Sequence, residues 1–309
     1  MDCPAPVWWL VIQYTAAKQA DYIGFLHRHP FATDAYELGF APGVREDYSY
    51  RCEQYPNVEL PVVILDNDFR DSNLDRYLER FERHDPSVAV LGDAYTAEEA
   101  QTLNDAVRQL TDDYPHKEYV VVPKCRTAID VLDNEITLGY AMGYSDIQAQ
   151  DIAEYSAWRD QKVHLLGGSP YEQYTVIDRL TQPTLANEPP ADIVGLDWNG
   201  VQKAAYYGKY WHPDGWQSAD HLSIRETVRT SLHEIKRFWQ DRSVWPDTEP
   251  IDLYGPAVHE PDDPVYAVDG ADIRSRDQLE ESIVETYADC TLAYRTETEQ
   301  AFLEWRDRR

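Results

Sequence analysis

The chain has 309 residues, with 28 basic against 56 acidic side chains and a formal charge of −28. Such a balance ordinarily excludes nucleic acid and anionic membrane as partners, yet the carboxylates are spread over nearly the whole chain, and Lys is held to 7 of the 28 basic residues. At molar salt the Debye length shrinks to about 3 Å, so dispersed acid of this kind points to a halophilic, cytoplasmic protein and leaves a nucleic-acid substrate open.

Residues 7–12 (VWWLVI) are six apolar residues without a basic flank. That is too short for a signal peptide or a membrane span, and the segment is expected to be a first strand. Residues 16–27 carry a helical pattern. Runs rich in Val, Ile and Leu then recur at 62–65, 88–91, 119–122, 137–141, 163–166 and 193–196. Helical stretches at 74–83, 97–110, 128–132, 147–158 and 171–180 separate them. Uninterrupted apolar strands alternating with helices predict a parallel sheet covered on both faces. These make seven strands, and an eighth is expected around residues 36–40 or after 240. No Gly-rich phosphate loop follows the first strand, as a dinucleotide-binding sheet would need. The expected fold is therefore an α/β parallel (β/α)8 barrel over residues 1–245. Residues 199–242 are helical and aromatic, and residues 246–309 are an acidic C-terminal extension packed on the barrel, with a helix at 277–287.

Cys3, Cys52, Cys125 and Cys290 lie far apart and form no C-x-x-C pair. Buried thiols in a reducing compartment are expected rather than a disulfide framework or a zinc knuckle.

In a β/α barrel the polar residues just past each strand's C-terminal end line the working face. That rule selects Asp66, Asn67 and Asp68, then Asp93 and Tyr95, then Lys124. Later strands add His164, Gly167-Gly168 and Asp197-Trp198-Asn199. Each has a plain structural alternative. Asp, Asn and Gly are ordinary residues of βα turns and helix N-caps. His164, inside an apolar strand, suits a core histidine, and Lys124 can neutralise a phosphate or pair with a nearby acid. Asp197 ends an apolar strand beside Trp198, so its carboxylate is expected to be half-buried and functional.

With these residues in place, the chain resembles the tRNA-guanine transglycosylase superfamily, nearest its DNA-modifying branch from viruses and their prokaryotic hosts. The resemblance spans roughly residues 60–240 and rests on short motifs. It implies a barrel enzyme, a pentosyltransferase, that exchanges guanine in DNA or tRNA for a free 7-deazaguanine base without a cofactor. The family's general base lies in a D-S-G-G-F-like turn. Leu65-Asp66-Asn67-Asp68-Phe69 stands there, which makes Asp66 the base and Asp68 the second choice. The resemblance further implies that Asp93 reads the guanine edge, that Gly167 and Gly168 approach the base through their backbone, and that Asp197 is the nucleophile. Tyr95 and Asn199 are expected to complete the base pocket. Two features depart from the family: its C-x-C-x-x-C plus His zinc site is missing, and no Gln stands in residues 120–125.

The chemistry requires these residue types. A carboxylate nucleophile suits an oxocarbenium-like transition state and a covalent glycosyl-enzyme, and a second carboxylate deprotonates the incoming base. The same carboxylates would equally serve a barrel hydrolase, and a non-catalytic nucleic-acid-binding barrel would use them as caps. Nucleic acid is expected along residues 199–242. There 7 basic residues outnumber 5 acidic ones, and Tyr206, Tyr207, Tyr210, Trp211, Trp216 and Trp239 are interleaved. Cations would follow phosphates while rings stack on unpaired bases. Lys203, Arg225 and Arg229, with Lys124, are the expected phosphate contacts. The alternative is that these aromatics are core.

Overall fold

The computed structural model describes residues 19–47, 58–143 and 147–259. Eight parallel strands close into a barrel: β1 (Tyr22–Leu26), β2 (Ala41–Arg45), β3 (Ile64–Asp66), β4 (Val88–Ala94), β5 (Glu118–Pro123), β6 (Thr137–Ala141), β7 (Lys162–Leu166) and β8 (Asp192–Asp197). Each pairs with the next, and β8 returns to β1 with Gly24 opposite Asp197. Period-2 alternation sorts the apolar runs. Ile64, Val88, Val90, Val120 and Val122 pack together inside the barrel. Leu65, Ala89, Leu91 and Val121 belong to the second core, under the helices. That double burial is why the strands are apolar at every position.

The helices are α1 (Phe31–Glu37), α2 (Leu74–His84), α3 (Ala97–Asp113), α4 (Arg126–Val131), α5 (Ala149–Ile152), α6 (Pro170–Thr181), α7 (Gly200–Tyr206), α8 (Ile224–Gln240) and α9 (Pro250–Tyr254). Several start where the sequence places a cap. Asn73 accepts from the Arg76 N–H, and Thr96/Glu99, Ser169/Glu172 and Ser223/Glu226 form capping boxes, each satisfying orphan donors of a first turn.

Two strands differ from expectation. Over the described part of 16–27 the expected helix does not form, because Tyr22–Leu26 is β1, inserted between β8 and β2. Its apolar run was obscured by helix-forming residues before it. The strand sought around residues 36–40 begins at Ala41, after Tyr36 has ended up in α1. Pro42 and Gly43 hid it, since both residues are depleted in strands. Pro42 pairs with Phe25, and its carbonyl accepts from the Val63 N–H. Residues 147–158 split into α5 and a 3₁₀ turn at Tyr155–Trp158. The strand expected at 7–12 and the helix expected at 277–287 lie outside the described residues, as do Cys3, Cys52 and Cys290. After α9, Val258–His259 pairs antiparallel with Val58–Glu59. Among the described residues no helix is long and apolar enough to cross a membrane.

Candidate active site

The C-terminal ends of the strands open into a cavity of ≈ 450 Å³. Strand β3 delivers Asp66 to it and β4 delivers Asp93. Lys124 follows β5, Met142 follows β6, Gly167 follows β7, and Asp197 ends β8. Phe69 and Tyr95 stand at its rim, 47% and 48% exposed. The guanidinium groups of Arg45 and Arg70 lie 5.7 and 5.6 Å from the Phe69 ring. Six strands thus contribute to one mouth, which is how the fold brings together residues 131 positions apart, from Asp66 to Asp197.

The three carboxylates sit in different surroundings. Burial pushes the Asp66 carboxyl up to about 8; the Asp197 charge adds to the rise, Arg45 opposes it and Asp93 adds to it. Burial also raises Asp93, against the pull of Lys124 and Tyr95. The Lys124 ammonium lies 3.3 Å from Asp93 Oδ2, and the Tyr95 hydroxyl donates to the same oxygen at 3.3 Å. Asp197 is held by protein groups: the Gly167 N–H donates to its Oδ1 at 3.2 Å, and His164 Nε2 lies 3.5 Å from that oxygen.

The geometry divides the expected site residues. Asp66, Asp93, Tyr95, Lys124, Gly167 and Asp197 share the cavity. Lys124 is buried against Asp93 and is placed for the cavity rather than for an external phosphate. Asp68 does not line it: its Oδ1 accepts from the Arg70 N–H at 3.2 Å, and Arg76 lies 3.7 Å from its Oδ2. It is a turn residue. Asn199 is also a correction, because its Oδ1 accepts from the Leu26 N–H at 2.8 Å and so ties β8 to β1 where the barrel closes. Gly168 faces a neighbouring 230 Å³ cavity, behind Met142. Both Gly167 and Gly168 have φ of +74°, and a Cβ on Gly167 would lie 2.6 Å from the Met142 carbonyl oxygen. The turn therefore needs glycine at these positions.

The cationic groove along residues 199–242 is largely overturned. Arg225 is buried, with its guanidinium on both oxygens of Asp34 at 2.7 and 2.8 Å. Arg229 reaches the same carboxylate and Glu37. Both arginines clamp α8 to α1, because a carboxylate with no exposed surface must be paired. Tyr206, Trp211 and Trp239 are core residues. Lys203 is exposed. Trp216 is 45% exposed, with its ring 6.2 Å from that of Trp198, the residue after Asp197.

Gln173 escaped the sequence analysis. Buried on α6, its amide donates to the carbonyls of Gly167 at 2.8 Å and Asp197 at 2.7 Å, locking the ends of β7 and β8 together. A Gln at a buried helix position, four residues after a cap, was its only signal. Among the described residues no group of three or more His, Cys, Asp or Glu is placed to hold a metal ion.

A family model described as a family of unknown function, DUF6610, matches residues 35–240, which is 206 of the 309 residues and runs from α1 to the end of α8. The chain belongs to that family. The DUF6610 segment holds every residue that lines the cavity, whereas β1 precedes it. A comparison with curated proteins finds no match. Among solved structures the chain is similar to the YdjI aldolase from Escherichia coli K12, at 13% identity and a TM-score of 0.42, over 77% of this chain and 92% of that one.

Proposed function

We propose that this protein exchanges a nucleobase in DNA, or in tRNA, by two displacements at C1′. The reading is carried by one observation: Asp66 and Asp197 face a common cavity in opposite surroundings, one desolvated and the other hydrogen-bonded by the backbone. Carboxylate pairs divided in this way take separate acid/base and nucleophile roles.

Asp197 attacks C1′ and the bond from C1′ to the base breaks. The leaving guanine takes the proton that Asp66 carries at neutral pH. The incoming 7-deazaguanine returns its ring N–H proton to Asp66 and attacks C1′, releasing Asp197 and restoring both groups. Asp93 and Lys124, side by side, present an acceptor and a donor, which suits the N1–H/N2–H₂ donors and the O6 acceptor of a guanine edge. A 450 Å³ cavity falls within the usual range for a small-molecule site. The target nucleotide must leave its stack to enter, at a cost of a few kcal/mol. Phe69 and Tyr95 are exposed rings at the mouth, and Trp216 is an exposed ring beside Trp198; these are the rings available to stack on the nucleotide's neighbours.

The test is incubation in high salt with DNA or tRNA and radiolabelled guanine. Incorporation of label is expected, and Asp197→Asn abolishes it. Omitting the incoming base traps a denaturation-resistant adduct on the wild type. Release of free base or sugar without exchange supports a barrel hydrolase on the same carboxylates. Asp197→Asn exchanging at the wild-type rate refutes the assignment.

A further inference from the structure

Among the described residues, apolar side chains from most of the strands pack together inside the barrel, and a line of polar groups runs among them. Tyr22 on β1 and His164 on β7 are both buried there, and their rings stack at 5.4 Å. The Tyr22 hydroxyl lies 2.7 Å from His164 Nδ1, and the opposite ring nitrogen, Nε2, lies 3.5 Å from Asp197 Oδ1. Barrel interiors are normally filled by branched apolar side chains. Burying a hydroxyl and an imidazole is costly unless their polar atoms find partners; here the hydroxyl and Nδ1 bond each other, and Nε2 lies against Asp197.

Two backbone features shape the barrel around this pair. Register shifts between β7 and β8, so that Val163 faces Ile193 while His164 faces Gly195, leaving Val194 as an extra residue. Bulges of this kind re-aim side chains next to active sites. Opposite His164 the chain then has glycine: a Cβ on Gly195 would lie 2.3 Å from the Tyr22 ring and 2.8 Å from His164 Nδ1.

The proton positions follow from the surroundings. Burial holds the Tyr22 hydroxyl well above its ordinary pKa, and the charges of Glu118, Asp197 and Asp21 add to this. The hydroxyl therefore stays protonated and able to donate or accept, and the carboxylate decides between the two: hydrogen on Nδ1 would set the Nε2 lone pair against Asp197 Oδ1, so the hydroxyl donates to Nδ1. Nδ1 is then the acceptor, and the ring hydrogen sits on Nε2, aimed at Asp197.

We infer that His164, oriented by Tyr22, is a positioning residue for Asp197: with the Gly167 N–H it holds Oδ1, and so presents Oδ2 to C1′. This rests on the proposed role of Asp197 as nucleophile. It adds two residues that the substrate never touches, one of them outside the DUF6610 segment.

The test combines single-turnover adduct formation, in high salt with DNA or tRNA substrate, and ¹⁵N NMR of the imidazoles. His164→Leu should slow adduct formation by about 10²-fold, the scale of a misplaced reacting group, with substrate affinity unchanged. His164→Gln keeps an amide donor and should recover part of that loss. Tyr22→Phe removes only the hydroxyl and should lower the rate about tenfold without shifting the melting temperature much. The NMR arm needs no substrate: the resonance lost in His164→Gln should show hydrogen on Nε2 and an acceptor Nδ1. A wild type that exchanges bases while all three variants match its adduct rate overturns the inference, as does hydrogen on Nδ1. If the wild type forms no adduct, the proposed reaction fails, and the tautomer alone decides whether Tyr22 orients His164. If His164→Leu does not fold, Tyr22→Phe and the tautomer decide.

Discussion

Replacing Asp66 by Asn tests the electrostatics of the mouth without needing a substrate. In the folded protein burial lifts this carboxyl from 3.8 to about 8, with Asp197 adding to the rise. A carboxyl raised on folding favours the native state fully below its unfolded pKa, and that contribution is lost as pH climbs toward the folded value. Between about pH 4 and 8 the folded state binds one more proton here than the unfolded chain. Each pH unit in that window therefore costs the folded state up to about 1.4 kcal/mol. Four units set a ceiling of about 5–6 kcal/mol. The residue is only partly buried, and water entering the cavity lowers this, so about 2–4 kcal/mol is the working figure. Asn does not titrate. The melting temperature of Asp66→Asn minus that of wild type should therefore rise between pH 5 and pH 8. Three of the four units lie between pH 5 and pH 8, so at roughly 2–4 °C per kcal/mol for a large chain the change is about 3–12 °C. The assay is thermal unfolding by circular dichroism at constant, high salt. Asp68→Asn is the control: it keeps an acceptor for the Arg70 N–H but loses the charge beside Arg76, and should only destabilise. A difference between Asp66→Asn and wild type that stays flat from pH 5 to 8 would refute the partly buried, proton-holding Asp66 on which the acid/base role depends.

Other outcomes follow from the same contacts. Arg225→Gln leaves the buried Asp34 short of a partner and should cost about 3–5 kcal/mol by chemical denaturation, while nucleic-acid affinity holds in whatever remains folded; unchanged stability would return Arg225 to the surface. Trp216→Ala should weaken single-strand binding by about 1–3 kcal/mol with little change in melting temperature. Trp239→Ala, in the core, should cost about 3–5 kcal/mol of stability, and the reverse pattern in the two variants would move the binding face elsewhere. Gly195→Ala forces a methyl into the Tyr22 ring and should destabilise by about 1–3 kcal/mol; a neutral effect on the unfolding curve would mean that the barrel interior is looser than its geometry.

Much of the barrel was legible because a doubly buried strand needs apolar side chains at every position, and six of the eight strands announce themselves that way. The helix starts were legible for a local reason as well: Thr96/Glu99, Ser169/Glu172 and Ser223/Glu226 satisfy first-turn donors within four residues. Strand ends also marked Asp66, Asp93, Lys124, Gly167 and Asp197, since a barrel exposes the residue just past each strand. The rest depended on partners far away in the chain. Asp66 and Asp68 are equivalent in sequence, and only the end of the strand at Asp66 and the reach of Arg76 send one into the cavity and the other into a turn. Arg225 reads as a free cation until α1 brings Asp34, 191 positions away, against it. Strand β1 and the tie from Asn199 to Leu26 exist because the barrel must close on itself, a demand that no local run of residues records. His164 was a histidine in an apolar strand. A single bulge in β8 and the glycine that follows it, opposite His164, decided that the ring would meet Tyr22 at one nitrogen and Asp197 at the other.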